Sequence, residues 1–388
     1  MGIDGVKFGK TASPSVGASA GSRRQFLVVV LLAAFLGTVG CGGDQPQISH
    51  HWPAYTPQCQ PPVLHGTFLG TVGCGGDQPQ IRDHWPAYTP QWQALAAQER
   101  AMYLADGFNY FSELEDYSPN GNYFNSQVVD WSSYTFDKDG FPLSVDSQSP
   151  EKILYYNPVT TAQYALNQYA LFLYGKQDST HFLQTADHLI SLMDAHGAMR
   201  YSIEWKFNGN DLQPGWVSGL AQGQALSVFA RAWALTKDQK YVNAGNSALA
   251  FMLIPTENGG TRGNLADLDF SLSDQTTFEE ITCHPDCTIL NGFLYALMGL
   301  YDWGKTVGNQ QAQVAFQEGW TTATHLLPYY DIGGFTAYDL RHVIAHQDPK
   351  PVLSYHVHHI ALTNALFHVT GNTVFSHWRD TWEDEVKP

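Results

Sequence analysis

Apolar and polar residues follow a helical period over most of the chain beyond Pro158. Four segments each hold an apolar run, a short polar turn and a second, amphipathic run, and they begin near Thr161, Gly219, Leu290 and His359. The apolar positions recur at the spacing of one helix face. The first run of each pair is rich in small and apolar residues, which predicts a buried inner helix covered by an outer one.

The four predicted hairpins recur every 60 to 70 residues, roughly, with long loops between them. Helical hairpins repeated in this way stack side by side. They predict a mainly α fold, an incomplete (α/α) toroid or barrel. The loops that precede the inner helices should then gather at one end, where functional residues collect on rigid scaffolds.

The pattern differs on the N-terminal side of the hairpins. A helix is predicted from near Trp92, and between Gly121 and Tyr156 short alternating runs flank the turn signal at 137–140. We expect a small antiparallel sheet or an elaborated loop there. Residues 92–388 are therefore interpreted as one domain, with 92–156 as its N-terminal helix and β-rich subregion.

Residues 1–41 have the pattern of an export signal. Arg23 and Arg24 precede an apolar run that is too short for a typical membrane span. The arginine pair resembles a twin-arginine signal. The Gly-Cys41 junction resembles a bacterial lipoprotein box, although Thr38 stands where that box usually has Leu. The expectation is an exported protein, periplasmic or at the cell surface, with a lipid anchor at Cys41 as an alternative left open.

Residues 42–91 contain most of a tandem duplication. The stretch Phe35–Gln58 recurs, almost unchanged at both of its ends, in Phe68–Gln91. Two copies rich in Gly, Pro and Gln cannot stack into a core, so this segment is predicted to be a flexible linker.

The composition of the chain argues against some classes of ligand. The formal net charge of −16 argues against nucleic acid, because phosphate binding needs clustered Lys and Arg. Aromatic residues make up 13% of the chain, which suits either carbohydrate stacking or a bulky core. An anionic ligand would need a local positive patch, for which Arg341 is the candidate. No dinucleotide fingerprint, phosphate-binding loop or nucleophile elbow is visible, and no cofactor is predicted.

The segment from Gly334 to His359 concentrates two tyrosines, an arginine and several histidines. Proton transfer at an anionic carbon acid needs a group that holds a carboxylate and groups that give or take a proton on either face. The Glu279-Glu280 pair could supply the missing base. Each of these features also has an ordinary structural interpretation, as a solvated acidic pair, as core or rim tyrosines, or as an ion pair.

Cys283 and Cys287 could form a short-loop disulfide or belong to a metal site. The sequence lacks a second cysteine pair, and no HExxH spacing accompanies the histidines of 356–359, so no metal is predicted and the disulfide is favoured.

Four motifs resemble one known family. They are Pro214–Ala225, Leu290–Asp302, Leu327–His342 and Tyr355–Ile360. Together they are similar to the C-terminal helical domain of D-glucuronyl C5-epimerases, which convert glucuronate to iduronate within heparan-type polymers. The likeness runs from about residue 155 to the C-terminus, and with the export signal it indicates a bacterial member. The β-rich N-terminal domain of the animal enzymes is mostly absent.

The resemblance implies roles for particular residues. Glu280 matches the family's catalytic glutamate, Tyr338 and Tyr355 match its active-site tyrosines, and Arg341 matches its arginine. The animal enzymes have a tyrosine after the glutamate pair, where this chain has Ile281. The further candidates for substrate binding are His342, His356, His359, Tyr156, Asn157, Trp216, Gln222, Asn291 and Tyr295.

The expected reaction is epimerisation at C5 of glucuronate in a heparosan-like polymer, with Glu280 taking a proton, Tyr355 returning one and Tyr338 assisting. Two alternatives are enzymes: a uronate lyase that shares the first step, and a glycoside hydrolase in which Glu204 or Asp211 partners Glu280. A third is a non-catalytic sugar-binding lipoprotein. A homodimer is left open as the oligomeric state.

Overall fold

The computed structural model describes residues 116–384, apart from Asn125, Gln127, Val128 and Gly334, together with a few helical residues between 94 and 101. The predicted export signal, the proposed lipid site at Cys41 and the duplicated linker lie outside the described residues. The helix predicted near Trp92 is present at those of its positions that are described.

Most of the described chain forms four helical hairpins, as predicted. The helices are α1 (Pro158–Leu173), α2 (Thr180–Ser191), α3 (Gly219–Thr236), α4 (Gln239–Met252), α5 (Leu290–Val307), α6 (Gln310–Tyr330), the short α7 (Arg341–Ile344), α8 (Leu353–Thr370) and α9 (Thr373–Asp384). Helices α1 and α8 begin three and six residues before the positions predicted from the apolar runs. In α1, the Asn157 side chain accepts hydrogen bonds from the first turn and Pro158 occupies the first helical position, which extends the helix toward its N-terminus.

The inner helices form a row in the order α1, α3, α5, α8, and each outer helix packs on its own inner partner. Helices α3 and α5 approach most closely where Gly223 faces Gly299. A Cβ atom built on Gly299 would lie 2.0 Å from the carbonyl oxygen of Gly223, so only glycine permits this contact. The buried apolar side chains of the inner helices form one continuous core.

Three small antiparallel sheets lie in the segments between and before the helical hairpins. Strands β1 (Thr135–Phe136), β2 (Pro142–Val145) and β3 (Leu154–Tyr155) form the sheet predicted near the N-terminal side. Strands β4 (Trp205–Phe207) and β5 (Asn210–Leu212) form a hairpin before α3, and β6 (Arg262–Asn264) pairs with β7 (Thr276–Phe278) before α5. The last two pairs therefore lie in loops that lead into inner helices.

A buried ion pair closes the opposite end of the inner helices. Arg231 of α3 donates to Asp302 of α5 at 2.7 Å, and both side chains are fully buried. Tyr117 donates to the same carboxylate at 2.8 Å, which fixes the segment that precedes the first sheet. Among the described residues, no helix is both long enough and apolar enough to cross a membrane.

Candidate active site

The N-terminal ends of α1 and α3 border a small cleft. Its lining residues are Asn157, Val159, Tyr201, Trp216, Ser218, Leu220, Glu280 and Ile281. Asn157 caps α1 and Ser218 caps α3, so the positive ends of two helix dipoles border the cleft. This arrangement supplies local positive potential in a chain whose net charge is −16.

Glu280 lies in the loop that follows β7, packs against the first turn of α5 and is only 3% exposed. Asn291 Nδ2 donates to Oε2 at 3.2 Å, and the Gly292 N–H also bonds to this carboxylate. A Cβ atom at residue 292 would lie 2.2 Å from Oε2, so the carboxylate occupies the space that glycine leaves. Burial raises the pKa of Glu280 to about 8.

Two tyrosines adjoin this carboxylate. Tyr338 donates its hydroxyl to Glu280 Oε1 at 3.4 Å, and its ring lies 4.5 Å from that of Tyr355, centroid to centroid. Burial, with the nearby Glu280 carboxyl, raises the pKa of both phenols above the ordinary value of 10. Both are therefore neutral proton donors near neutral pH. The structure brings Glu280, Tyr338 and Tyr355 together.

Arg341 follows Tyr338 by three residues, and its side chain is held by Asp339. Its Nε donates to Asp339 Oδ2 at 3.0 Å, and its side chain is 13% exposed. Asp339 also accepts the backbone N–H of Arg341 at 3.2 Å. The guanidinium is thus fixed by Asp339, and in the described residues its carboxylate partner is Asp339, not Glu280.

Glu279 has a different environment from Glu280. Its Oε1 accepts from the Thr277 hydroxyl at 2.7 Å and its Oε2 from the Thr288 N–H at 3.1 Å. Burial, with the charge of Asp286, raises its pKa to about 8. The expected disulfide between Cys283 and Cys287 is present and closes the loop between the two glutamates and α5. Glu279 therefore orders this loop, and Glu280 faces the cleft.

The remaining candidates separate into two groups. Asn157 and Trp216 line the cleft, and Asn291 contacts Glu280. Tyr295 is buried and its hydroxyl lies 2.6 Å from His358 Nδ1. These four residues surround or support the cluster.

The structure does not bring the other candidates into contact with Glu280. Gln222 is fully buried and bonds the backbone of Gly197, Met199 and Ala248. His342 lies between the carbonyls of Tyr329 and Asp339. His356 and His359 are fully buried around Thr336, and Tyr156 donates to Asp137 of the β1–β2 turn at 2.6 Å. These side chains are engaged in internal packing.

Tyr201 lines the cleft and was missed by the sequence interpretation. It is 1% exposed and stacks on Trp216 with 3.7 Å between ring centroids. A signal was present, because residues 199–205 alternate strictly, and Tyr201, Ile203 and Trp205 are buried while Ser202 and Glu204 are exposed.

A glycoside hydrolase would need a second carboxylate near Glu280, and neither of the two candidates, Glu204 and Asp211, contacts it. Glu204 is exposed, and Asp211 pairs with Lys206 at 3.6 Å on the exposed face of the β4–β5 hairpin. No group of three or more His, Cys, Asp or Glu side chains in the described part of the chain is arranged to hold a metal ion.

A family model for the D-glucuronyl C5-epimerase C-terminus matches residues 193–384, which include Glu280, Tyr338, Arg341 and Tyr355. The chain belongs to the D-glucuronyl C5-epimerase family. It is 32% identical over 222 residues to the D-glucuronyl C5-epimerase of Caenorhabditis elegans, a match that covers 53% of this chain and 35% of the nematode protein. It is also 27% identical over 186 residues to an uncharacterized protein of Methanocaldococcus jannaschii, covering 47% of this chain and 58% of the archaeal one.

These matches cover part of each relative. The chain spans about a third of the nematode protein and somewhat more than half of the archaeal one. Membership of the family supports an epimerase-family function.

Proposed function

We propose that this protein is a polysaccharide D-glucuronyl C5-epimerase that interconverts D-glucuronate and L-iduronate in a heparosan-like polymer. The observation that carries the proposal is the contact of Glu280, Tyr338 and Tyr355 within the family-matched region, with Glu280 lining the cleft. The row of inner helices with outer partners fits an incomplete (α/α) toroid, which would hold these groups on rigid elements.

The first chemical step is removal of the C5 proton, which is weakly acidic because it lies α to a carboxylate. Glu280, in its ionised form, takes this proton as the C5–H bond breaks, and the electron pair is delocalised into the substrate carboxyl group. A pKa of about 8 makes Glu280 a stronger base than an ordinary carboxylate. Because Glu280 is seated against Gly292, its carboxylate has little freedom to turn away from the substrate.

The second step returns a proton to the opposite face of C5. Tyr355 is neutral and so has a proton to donate, and Tyr338 lies between it and Glu280. Loss of the Tyr355 proton leaves a phenolate, which the adjacent Tyr338 hydroxyl stabilises. Proton exchange through Tyr338 then resets Glu280 and Tyr355 for the next turnover.

The developing dianion needs positive potential. Arg341, together with the N-termini of α1 and α3, would supply it. Asp339 offsets part of the Arg341 charge and fixes its orientation, so the guanidinium would be pre-positioned for a substrate carboxylate.

The direct test is incubation with heparosan in D2O followed by NMR. An epimerase incorporates deuterium at C5 and forms iduronate while the chain length is unchanged. A lyase instead gives shorter chains ending in an unsaturated uronate with a new ultraviolet absorbance. Binding with neither deuterium incorporation nor cleavage would leave only the sugar-binding alternative, and absence of both activity and binding on all glucuronate polymers would refute the proposal.

We also propose export through residues 1–41, lipidation at Cys41 and self-association into a dimer. Mass spectrometry of the mature N-terminus after bacterial expression tests export and lipidation. Retention of the uncleaved N-terminus in the cytoplasm would refute the export proposal, and light scattering measures the oligomeric state.

A further inference from the structure

The tip of the β4–β5 hairpin lies against the segment that carries Tyr338. The Phe207 and Tyr338 rings are 6.5 Å apart between centroids and meet edge to face, with an interplanar angle of 75°. Asn208 and Gly209 at the tip both have positive φ, at 53° and 80°, as a tight two-residue hairpin turn requires. The turn thereby presents Phe207 and Asn208 beside the proposed catalytic tyrosine.

Lys350 contacts both Tyr338 and the tip of the β4–β5 hairpin. Its carbonyl accepts the backbone N–H of Tyr338 at 2.9 Å, so the two residues are paired through the backbone. Its Nζ donates to Asn208 Oδ1 at 3.3 Å and lies 5.8 Å from the centroid of the Phe207 ring. The Lys350 ammonium group is therefore held over the face of the Phe207 ring and hydrogen-bonded to Asn208 at the hairpin tip.

The orientation of Asn208 is set by two further contacts. Its Nδ2 donates to Asp339 Oδ2 and to Cys287 Sγ, each at 3.2 Å, so its Oδ1 is the atom left to face Lys350. The same Asp339 oxygen accepts from Arg341 Nε. Asn208 and Asp339 thus connect Lys350 to Arg341 in one polar network.

The charge of this network is uneven. Asp339 forms an ion pair with Arg341, whereas the ion pairs of the described residues include none for Lys350, which is exposed. Two cations and one carboxylate leave a net positive corner next to Tyr338, although the whole chain has a charge of −16. An exposed cation above an aromatic ring, beside a sugar site, matches the chemistry of an acidic saccharide, whose ring stacks and whose anionic group pairs with the ammonium.

We propose that Lys350, with Phe207 beneath it, is a binding subsite for an anionic group, carboxylate or sulfate, on a sugar unit that flanks the one at Glu280. This proposal rests on the proposed function, because it takes the sugar at Glu280 as part of an acidic polymer. It adds a determinant of polymer recognition that lies outside the proton-transfer residues.

The test compares Lys350→Gln with wild type on defined heparosan oligosaccharides, which carry carboxylates only, and on their N-sulfated counterparts. Loss of one charge-assisted contact should raise KM about tenfold on at least one substrate with little change in kcat. Lys350→Arg should restore most of the affinity. On an oligosaccharide whose flanking anionic group has been removed, wild type and Lys350→Gln should have equal KM. The substrate that shows the loss identifies the anion.

Lys206→Gln is the matched control, because Lys206 lies on the same hairpin, is exposed and pairs with Asp211. It should leave KM within twofold. An unchanged KM for Lys350→Gln on both substrates, or an equal rise for Lys206→Gln, would overturn the subsite while the proposed function stands. If wild type catalyses no exchange, the proposed function fails, and the subsite is then judged by equilibrium titration of the same oligosaccharides. Weaker binding by Lys350→Gln supports it, and equal or absent binding overturns it.

Discussion

Two buried polar clusters include residues of the segment 335–359, and they differ in what their polar atoms face. The histidine corner consists of Thr336, His356 and His359, and the glutamate corner consists of Glu280, Tyr338 and Tyr355. In the histidine corner, the Thr336 hydroxyl lies 3.0 and 2.7 Å from the two Nδ1 atoms, and the His356 ring stacks on Phe335. Burial lowers the pKa of His356 to about 3, so its imidazole is neutral.

In the glutamate corner the contacts are longer, at 3.2 and 3.4 Å, and Glu280 borders the cleft. Both corners are buried and both contain groups with shifted pKa values. A shifted pKa therefore does not by itself distinguish a functional site from packed polar groups. Access to a cleft distinguishes them here, because Glu280 lines one and the histidines do not.

The largest expected effect comes from removing the base in the glutamate corner. Glu280→Gln should lower the rate of C5 deuterium incorporation by at least about a thousandfold, because an amide cannot accept the proton. Glu279→Gln is the matched control, since it is adjacent, equally buried and bonded to Thr277 and Thr288. It should retain activity within about tenfold if it folds normally. Equal losses in the two variants would show that Glu280 has no separate chemical role.

The next effect comes from displacing this carboxylate without changing it. In Gly292→Ala the new methyl group would meet Glu280 Oε2 and force it to move, which should lower kcat about a hundredfold. Gly304→Ala on the same helix is the control, because its Cβ first meets the flexible Gln313 side chain at 2.9 Å. Both variants should gain helix propensity, because alanine is a better helix former than glycine. A variant that loses activity while its melting temperature is unchanged has therefore displaced the Glu280 carboxylate without misfolding. Full activity in Gly292→Ala would contradict the seating of Glu280.

The helical hairpins could be predicted from the sequence, because the apolar residues of helices such as α3 and α5 recur at helical spacing within each segment. The gathering of the loops at one end followed from that prediction. The resemblance then singled out Glu280, Tyr338 and Tyr355, which the structure brings together. It could not separate these residues from His356 and His359, since both sets alternate closely along one short segment. Which residues of α8 adjoin Glu280 depends on the rotation of that helix and on partners such as Thr336, which are set by tertiary packing.

Hydrogen bonds between residues far apart in the sequence explain why other candidate residues do not contact Glu280. Tyr156 was a candidate for substrate binding, but its partner Asp137 lies in the β1–β2 turn. Gln222 was another, but it bonds to the backbone of Gly197 and Ala248 in neighbouring elements. Neither partner has a sequence signal that links it to the candidate. Lys350 has an unremarkable sequence context, and its position over Phe207 follows only from the hairpin's packing.

A smaller effect is expected from the histidine corner. Thr336→Val removes the hydroxyl that lies between two buried imidazoles, and leaving buried polar atoms unsatisfied should cost about 1–3 kcal/mol of unfolding free energy. The rate of deuterium incorporation in the folded variant should stay within about threefold. Thr321→Val is the control, because its hydroxyl bonds its own helix at Gln317 near the surface. A normal melting temperature with a large loss of activity would reverse the roles assigned to the two corners.

The smallest effect is a pH dependence of stability that Glu280 confers. Its pKa is raised from an ordinary value of 4.5 to about 8 in the folded protein, so the folded state binds more protons than the unfolded state between these values. The stability linked to this group is complete below about pH 4.5, declines as pH rises and is lost above about pH 8. Glu280→Gln does not titrate, so its melting temperature relative to wild type should rise by a few degrees from pH 5 to pH 9. Thermal unfolding of both proteins across this range measures the difference, and a constant difference at every pH would show that Glu280 titrates normally and is already ionised in the folded enzyme.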